Sequence, residues 1–205
     1  AHKVCPAIAS NNAVLLKPSY KCPLTAKYFV KLLYDAGVPY EMLQVVTGKD
    51  KNIGNILVTN NNISMISFTG GVESGNNISN ICGIKKLSLE LGGNDALIID
   101  DDAFIEDAVS IAVKGAFGNS GQRCSAVKRI ITLPKIHENF IELFKTEVKK
   151  LKVGDPADPQ TDIGTVIDES AAIEIEMRIN DAVERGAQLI YGGNRRAAQI
   201  EPTIL

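Results

Sequence analysis

The strongest constraint on what this chain can fold into is an alternation. Short apolar runs recur between longer segments whose apolar residues fall three and four apart. NAVLLK (12–17), MLQVVT (42–47), ISMISFTG (63–70), KKLSLELGG (85–93), DALIID (95–100) and RIITL (129–133) read as strands. The stretches 23–37, 52–60, 73–83, 103–116, 135–151 and 170–186 read as helices, and AQLIYGG (187–193) as a further strand and turn. In 23–37, Ala26, Phe29, Val30 and Leu33 share one face and Gly37 supplies the stop. In 103–116, Ile105, Ala108, Val109, Ala112 and Ala116 form a stripe, with Asp101 or Asp102 as the expected cap. Repeated β-α units predict an α/β fold, a parallel sheet with helices on its faces. VGDPADPQTDIG (153–164) is a loop rich in Pro, Asp and Gly. LGG at 91–93 is the expected boundary between a unit at 1–91 and a second at 92–205. AHKVCPAIAS reads as the tail of a helix under way and EPTIL as the start of a strand. The chain is therefore expected to be an internal piece of a longer protein.

Bulk properties narrow the function classes. A net charge of −2 over 205 residues gives no electrostatic footing for nucleic acid. No apolar run is long enough to span a bilayer, and no stretch reads as a signal peptide. The four cysteines, Cys5, Cys22, Cys82 and Cys124, are widely spaced and form no zinc pattern with His2 or His137, so no metal site is expected. Few cysteines and no export signal point to a reducing cytoplasm. Both histidines are isolated, which argues against a Ser-His-Asp or Cys-His catalytic unit.

One cysteine is out of place for a core residue. In GNSGQRCSAVKR (118–129), Cys124 stands among Asn119, Ser120, Gln122, Arg123, Ser125 and Ala126. Small polar neighbours leave a thiol open to a reagent, although most single cysteines are small core hydrophobes. Glu90 closes a strand and precedes two glycines. Strand carboxyl ends in open parallel sheets are where ligand crevices form, and a carboxylate there serves as a general base. FTGGVESG (68–75) is a glycine-rich passage from strand to helix, suited to a phosphate against a helix N-terminus. It matches neither the Walker A loop nor G-x-G-x-x-G. In LLKPSY (15–20), Lys17 ends a strand where a lysine can touch a cofactor ribose or phosphate.

Taken together, LELGGND with Glu90, GQRCSA with Cys124, the 34-residue Glu-to-Cys spacing, FTGG…G and LKPS resemble the aldehyde dehydrogenase superfamily across essentially the whole chain. The finer likeness is to its phosphonoacetaldehyde dehydrogenase branch, through AHKVCPAIASNNAVLLKPS, GQRCSAVKR and GTVIDE. Non-phosphorylating glyceraldehyde-3-phosphate dehydrogenases are also similar around GQRC and AVKR.

The resemblance implies part of a Rossmann-like NAD(P)-binding domain at 1–91 and part of an α/β catalytic domain at 92–205. It implies Cys124 as nucleophile and Glu90 as the base that activates the hydrolytic water. Lys17, Ser19, Tyr20, Gly70, Gly71, Gly75 and Leu91 would bind the cofactor, NAD with NADP as the alternative. Arg123 would lower the thiol pKa or grip a phosphonate or phosphate on the aldehyde. The expected reaction is oxidation of phosphonoacetaldehyde to phosphonoacetate. The alternatives are glyceraldehyde 3-phosphate or lactaldehyde as substrate, or a non-catalytic nucleotide-binding fragment. The whole protein would be a homodimer or homotetramer. Tyr20 departs from the pattern: NAD-preferring members often carry Glu there. The family's oxyanion-hole Asn side chain is expected upstream of Ala1.

Overall fold

The computed structural model describes residues 1–49 and 53–205. They form two compact units, Ala1–Gly92 and Gly93–Leu205.

The first unit opens with α1 (Val4–Ala9), β1 (Val14–Leu16) and α2 (Pro23–Asp35). Pro23 starts α2 where a missing N–H costs nothing, and the chain leaves it through Gly37 at φ 96°. A short 3-10 turn leads into β2 (Leu43–Val45), which pairs in parallel with β1. The strands expected at 12–17 and 42–47 are thus trimmed to three residues each. Val4, Val30 and Leu43 are the buried centre here, and the Tyr34 hydroxyl donates to the Leu43 carbonyl. Next come α3 (Asn55–Thr59), β3 (Met65–Thr69), α4 (Val72–Ile81) and β4 (Lys86–Glu90). Asn52, the first residue of the helix expected at 52–60, lies outside the described residues. β3 and β4 run parallel in unbroken register from Met65↔Lys86 to Thr69↔Glu90. Val58, Ile78 and Cys82 bury the helices against Ile66, Phe68, Leu87 and Leu89.

The second unit has the larger continuous core. β5 (Asp95–Ile99), α5 (Ile105–Phe117), β6 (Val127–Thr132) and α6 (Pro134–Val148) make one β-α-β-α run, and β5 pairs in parallel with β6. Ile99, Val109, Ala112, Phe140, Phe144 and Val148 meet in its interior, where the Phe140 and Phe144 rings stack at 5.5 Å. The cap expected from Asp101 or Asp102 is absent. Phe104 holds the N-cap position, and Asp101 pairs instead with Lys135 at 3.1 Å. α7 (Glu169–Glu184) does have a side-chain cap, the Asp168 carboxylate accepting from the Ala171 N–H at 2.8 Å. The strand expected at 187–193 reduces to a single bridge, Tyr191 with Ile204. A two-residue hairpin, β7 (Arg195–Arg196) with β8 (Gln199–Ile200), appears where none was expected. Arg195 ties it to α7 through Glu176 at 2.7 Å, and that hydrogen bond raises the Arg195 pKa further above its ordinary value. No helix among the described residues is long and apolar enough to cross a membrane.

Candidate active site

The second unit presents Cys124 on an exposed turn between α5 and β6. The turn is built from improbable backbone. Asn119 (φ 57°), Ser120 (φ 53°) and Gly121 (φ 71°) are consecutive left-handed residues. Two carry a Cβ, and holding each there costs about 1–2 kcal/mol. Glycine is favoured at 121, because a Cβ there would be strained at φ 71° and would come 3.1 Å from the Ala116 carbonyl oxygen. Such strain persists only where the surroundings over-determine the conformation.

Three side chains supply that determination. Arg123 turns back onto α5, its Nη2 donating to the carbonyls of Lys114 (3.1 Å) and Gly115 (2.9 Å). A guanidinium on the last carbonyls of a helix satisfies orphan acceptors and complements the dipole. Gln122 reaches the segment before α7. Its amide nitrogen donates to the carbonyls of Asn119 (3.2 Å) and Thr165 (3.4 Å), and its oxygen accepts from the Ile167 N–H (2.7 Å). Lys128 sends its ammonium back to the turn's own carbonyls: Arg123 at 3.4 Å, Cys124 at 3.2 Å and Ala126 at 3.1 Å. Within the turn, Arg123 N–H donates to Gly121 and Ala126 N–H to Arg123. The Cys124 N–H donates to no acceptor among the described residues. Gly93 closes the approach from β5, for a Cβ there would lie 2.9 Å from the Cys124 carbonyl oxygen.

The first unit carries the remaining candidates at strand carboxyl ends. Lys17 directly follows β1 and donates to the Pro18 carbonyl at 3.1 Å. The Ser19 hydroxyl accepts from the Lys21 N–H at 3.3 Å, and the Lys21 ammonium sits 5.7 Å from the centre of the exposed Tyr20 ring. Glu90 ends β4 beside Thr69, its carbonyl accepting from the Gly70 N–H at 3.1 Å while its side chain is exposed. Gly71 is the N-cap of α4 and offers no side-chain cap; nothing lies within 4 Å of where a Cβ would stand. The ten-residue α4 thus begins without a side-chain cap for its first N–H groups, groups that an anion can satisfy. Gly75 is different. It is buried, and a Cβ there would meet the Leu91 side chain at 2.5 Å, so this glycine serves close packing of Leu91 on α4.

Two braces of the turn carry no signal in the sequence. Gln122 is one more polar residue of the Cys124 segment. Lys128, four residues past the thiol, is indistinguishable in sequence from a surface lysine.

An exposed cysteine on a braced, strained turn, and a strand-to-helix turn shaped for an anion, now have a context in known proteins. The profile of the aldehyde dehydrogenase family matches residues 1–205. The chain belongs to the aldehyde dehydrogenase family. It is 40% identical to the lactaldehyde dehydrogenase of Methanococcus aeolicus, over all of this chain and 45% of that protein. It is 41% identical to the 3-sulfolactaldehyde dehydrogenase of Priestia aryabhattai, over all of this chain and 43% of that one. Among solved structures, the glyceraldehyde-3-phosphate dehydrogenase GapN of Methanocaldococcus jannaschii, complexed with NADP, superposes with a TM-score of 0.94 at 37% identity. That match covers 98% of this chain and 45% of GapN. The chain thus spans a little under half the length of these aldehyde dehydrogenases. The fold is accordingly an α/β portion of the aldehyde dehydrogenase architecture.

Proposed function

We propose that the whole protein is an NAD(P)-dependent dehydrogenase of three-carbon 2-hydroxyaldehydes. The observation that carries the chemistry is Cys124, exposed on a turn that leaves its own N–H undirected. The Cys124 thiolate attacks the aldehyde carbon and forms a C–S bond, and the carbonyl oxygen becomes the oxyanion of a thiohemiacetal. The Cys124 N–H is the donor for that oxyanion. NAD(P), which Lys17, Ser19, Tyr20 and Gly71 would hold, would supply the hydride acceptor for the oxidation that leaves a thioester on Cys124. Glu90 takes a proton from water, whose oxygen adds to the thioester carbon; the C–S bond breaks, releasing the acid and restoring the thiol.

The first unit suits a dinucleotide. The N-terminus of α4 at Gly71, with Gly70 packed on the Phe68 ring before it, receives a phosphate, Leu91 on Gly75 shapes the floor, and Lys17, Ser19 and Tyr20 meet the ribose side. Tyr20 in place of a carboxylate leaves nothing at that position to repel a 2′-phosphate, so NADP stands beside NAD. The domain at 1–91 is then the cofactor portion and 92–205 the catalytic portion of a homo-oligomer.

The substrate reading follows the relatives. Lactaldehyde, 3-sulfolactaldehyde and glyceraldehyde 3-phosphate are all three-carbon aldehydes with a hydroxyl beside the carbonyl, and two end in an anion. Phosphonoacetaldehyde lacks that hydroxyl and becomes the second reading. Arg123 commits only Nη2 to α5, which leaves the N–H groups of Nε and Nη1 for an anionic tail.

The test is NAD(P)H production by the full-length gene product with lactaldehyde, 3-sulfolactaldehyde, glyceraldehyde 3-phosphate, phosphonoacetaldehyde and propanal, each with NAD and with NADP. Preference for the 2-hydroxyaldehydes is the expected result. Equal use of propanal removes the substrate reading, and no turnover of any of the five removes the activity.

A further inference from the structure

β6 does not pair regularly with β5. Asp95 stands opposite Val127, but the next residue, Ala96, stands opposite Arg129, so the ladder steps over Lys128. Lys128 is the extra residue of a β-bulge, uncommon between parallel strands. Bulges beside functional sites re-aim a side chain. Here the re-aimed side chain is the lysine whose ammonium meets the carbonyls of Arg123, Cys124 and Ala126. Three N–H donors meet three acceptors. The carboxylate within reach, Asp95, is farther away at 3.8 Å, with both groups substantially exposed, a geometry worth little in water.

The Arg123 carbonyl belongs to the same peptide group as the Cys124 N–H. A cation on the oxygen of a peptide draws electron density from its nitrogen and makes the N–H a stronger donor. It also fixes the plane of that peptide, and so the direction of the N–H.

Building on the proposed reaction at Cys124, we propose that Lys128 is a positioning residue that holds and polarises the Arg123–Cys124 peptide, so that the Cys124 N–H is aimed at the developing oxyanion. Lys128 touches neither aldehyde nor cofactor. It acts through the backbone of its neighbour, and the bulge is what brings it there.

The experiment uses the full-length protein and an aldehyde it turns over, with K128M, K128R, D95N and C124A. Steady-state turnover is measured beside cofactor affinity and the rate of iodoacetamide labelling at the Cys124 peptide, followed by mass spectrometry because Cys5 and Cys22 are also exposed. Alkylation displaces iodide and builds no oxyanion, so it reports the thiol without the N–H. K128M is expected to lower kcat by about 10–100-fold, short of or reaching the loss of one oxyanion donor. Aldehyde KM, cofactor Kd and Cys124 labelling should stay within about twofold of the wild type. K128R should recover much of the loss, and D95N should leave kcat within about twofold. A K128M enzyme as fast as the wild type overturns the proposal. So does one whose labelling falls in parallel with turnover, because the lysine is then only a brace for the turn. Undiminished turnover by C124A would instead remove the reaction on which the proposal rests.

Discussion

Two turns of this molecule do opposite things with their backbone. The turn at 118–126 in the second unit is held from three sides, by Arg123 on α5, Gln122 on the 165–167 segment and Lys128 from the bulge. The turn at 70–71 in the first unit is held, among the described residues, by a strand-end hydrogen bond, Gly70 to Glu90, and enters α4 without a side-chain cap. The turn that carries Cys124 accepts strain and is tied down. The turn at 70–71 has no side chain of its own, with the Phe68 ring packed at Gly70 and open space at Gly71. If the proposed roles hold, the first aims a reacting sulfur and the second receives a phosphate.

The largest expected effect that tests this contrast is C124A. Turnover should fall by about a thousandfold or more while binding of NAD(P)H, followed by its fluorescence, is nearly unchanged. Loss of both together would show that the braced turn also serves the cofactor. G121A comes next. It forces a Cβ into φ 71° beside the Ala116 carbonyl, and should cost about 1–2 kcal/mol in urea unfolding with a clear drop in turnover. If G121A is neutral in both, the strain at 119–121 is not what fixes the turn. Q122A removes the tie to Thr165 and Ile167 and should cost about 0.5–1.5 kcal/mol, since Gln122 is exposed. The smallest stability effect belongs to G71A. With φ −68° and open space around it, it should unfold within about 0.5 kcal/mol of the wild type and yet bind cofactor several times more weakly. A G71A protein with unchanged cofactor affinity would mean that the cleared turn receives nothing.

Much of the fold was legible because periodicity survives packing. α2, α6 and α7 fall within a few residues of the helices read from three-and-four spacing, and β3, β4, β5 and β6 lie within the runs read as strands or overlap them. What was illegible depends on contacts far apart in the chain or on pairings that periodicity does not encode. The hairpin at 195–200 rests on Ala197 in a left-handed conformation that alanine does not advertise. Neither Asp101 nor Asp102 caps α5, because the helix begins at Ile105 and puts Phe104 at the N-cap, while Asp101 meets Lys135, 34 residues away. At the candidate site, composition singled out the Cys124 segment, but its supports could not be read. Sequence does not show that Arg123 also spends its Nη2 on the last carbonyls of α5. Lys128 looks like surface until the ladder skips it.

The ties on the Cys124 turn also differ in when they can form. Arg123 and Lys128 find their partners within nine residues, whereas Gln122 bonds to residues 43 and 45 positions further on. Chain growth at about 5–20 residues per second puts roughly 2–9 s between the synthesis of Gln122 and that of the segment that receives it. For that interval the thiol is present on a loop missing one of its three anchors. The turn that carries Cys124 is thus completed by a stretch far along the chain, and it comes of age only after the polypeptide has moved well past it.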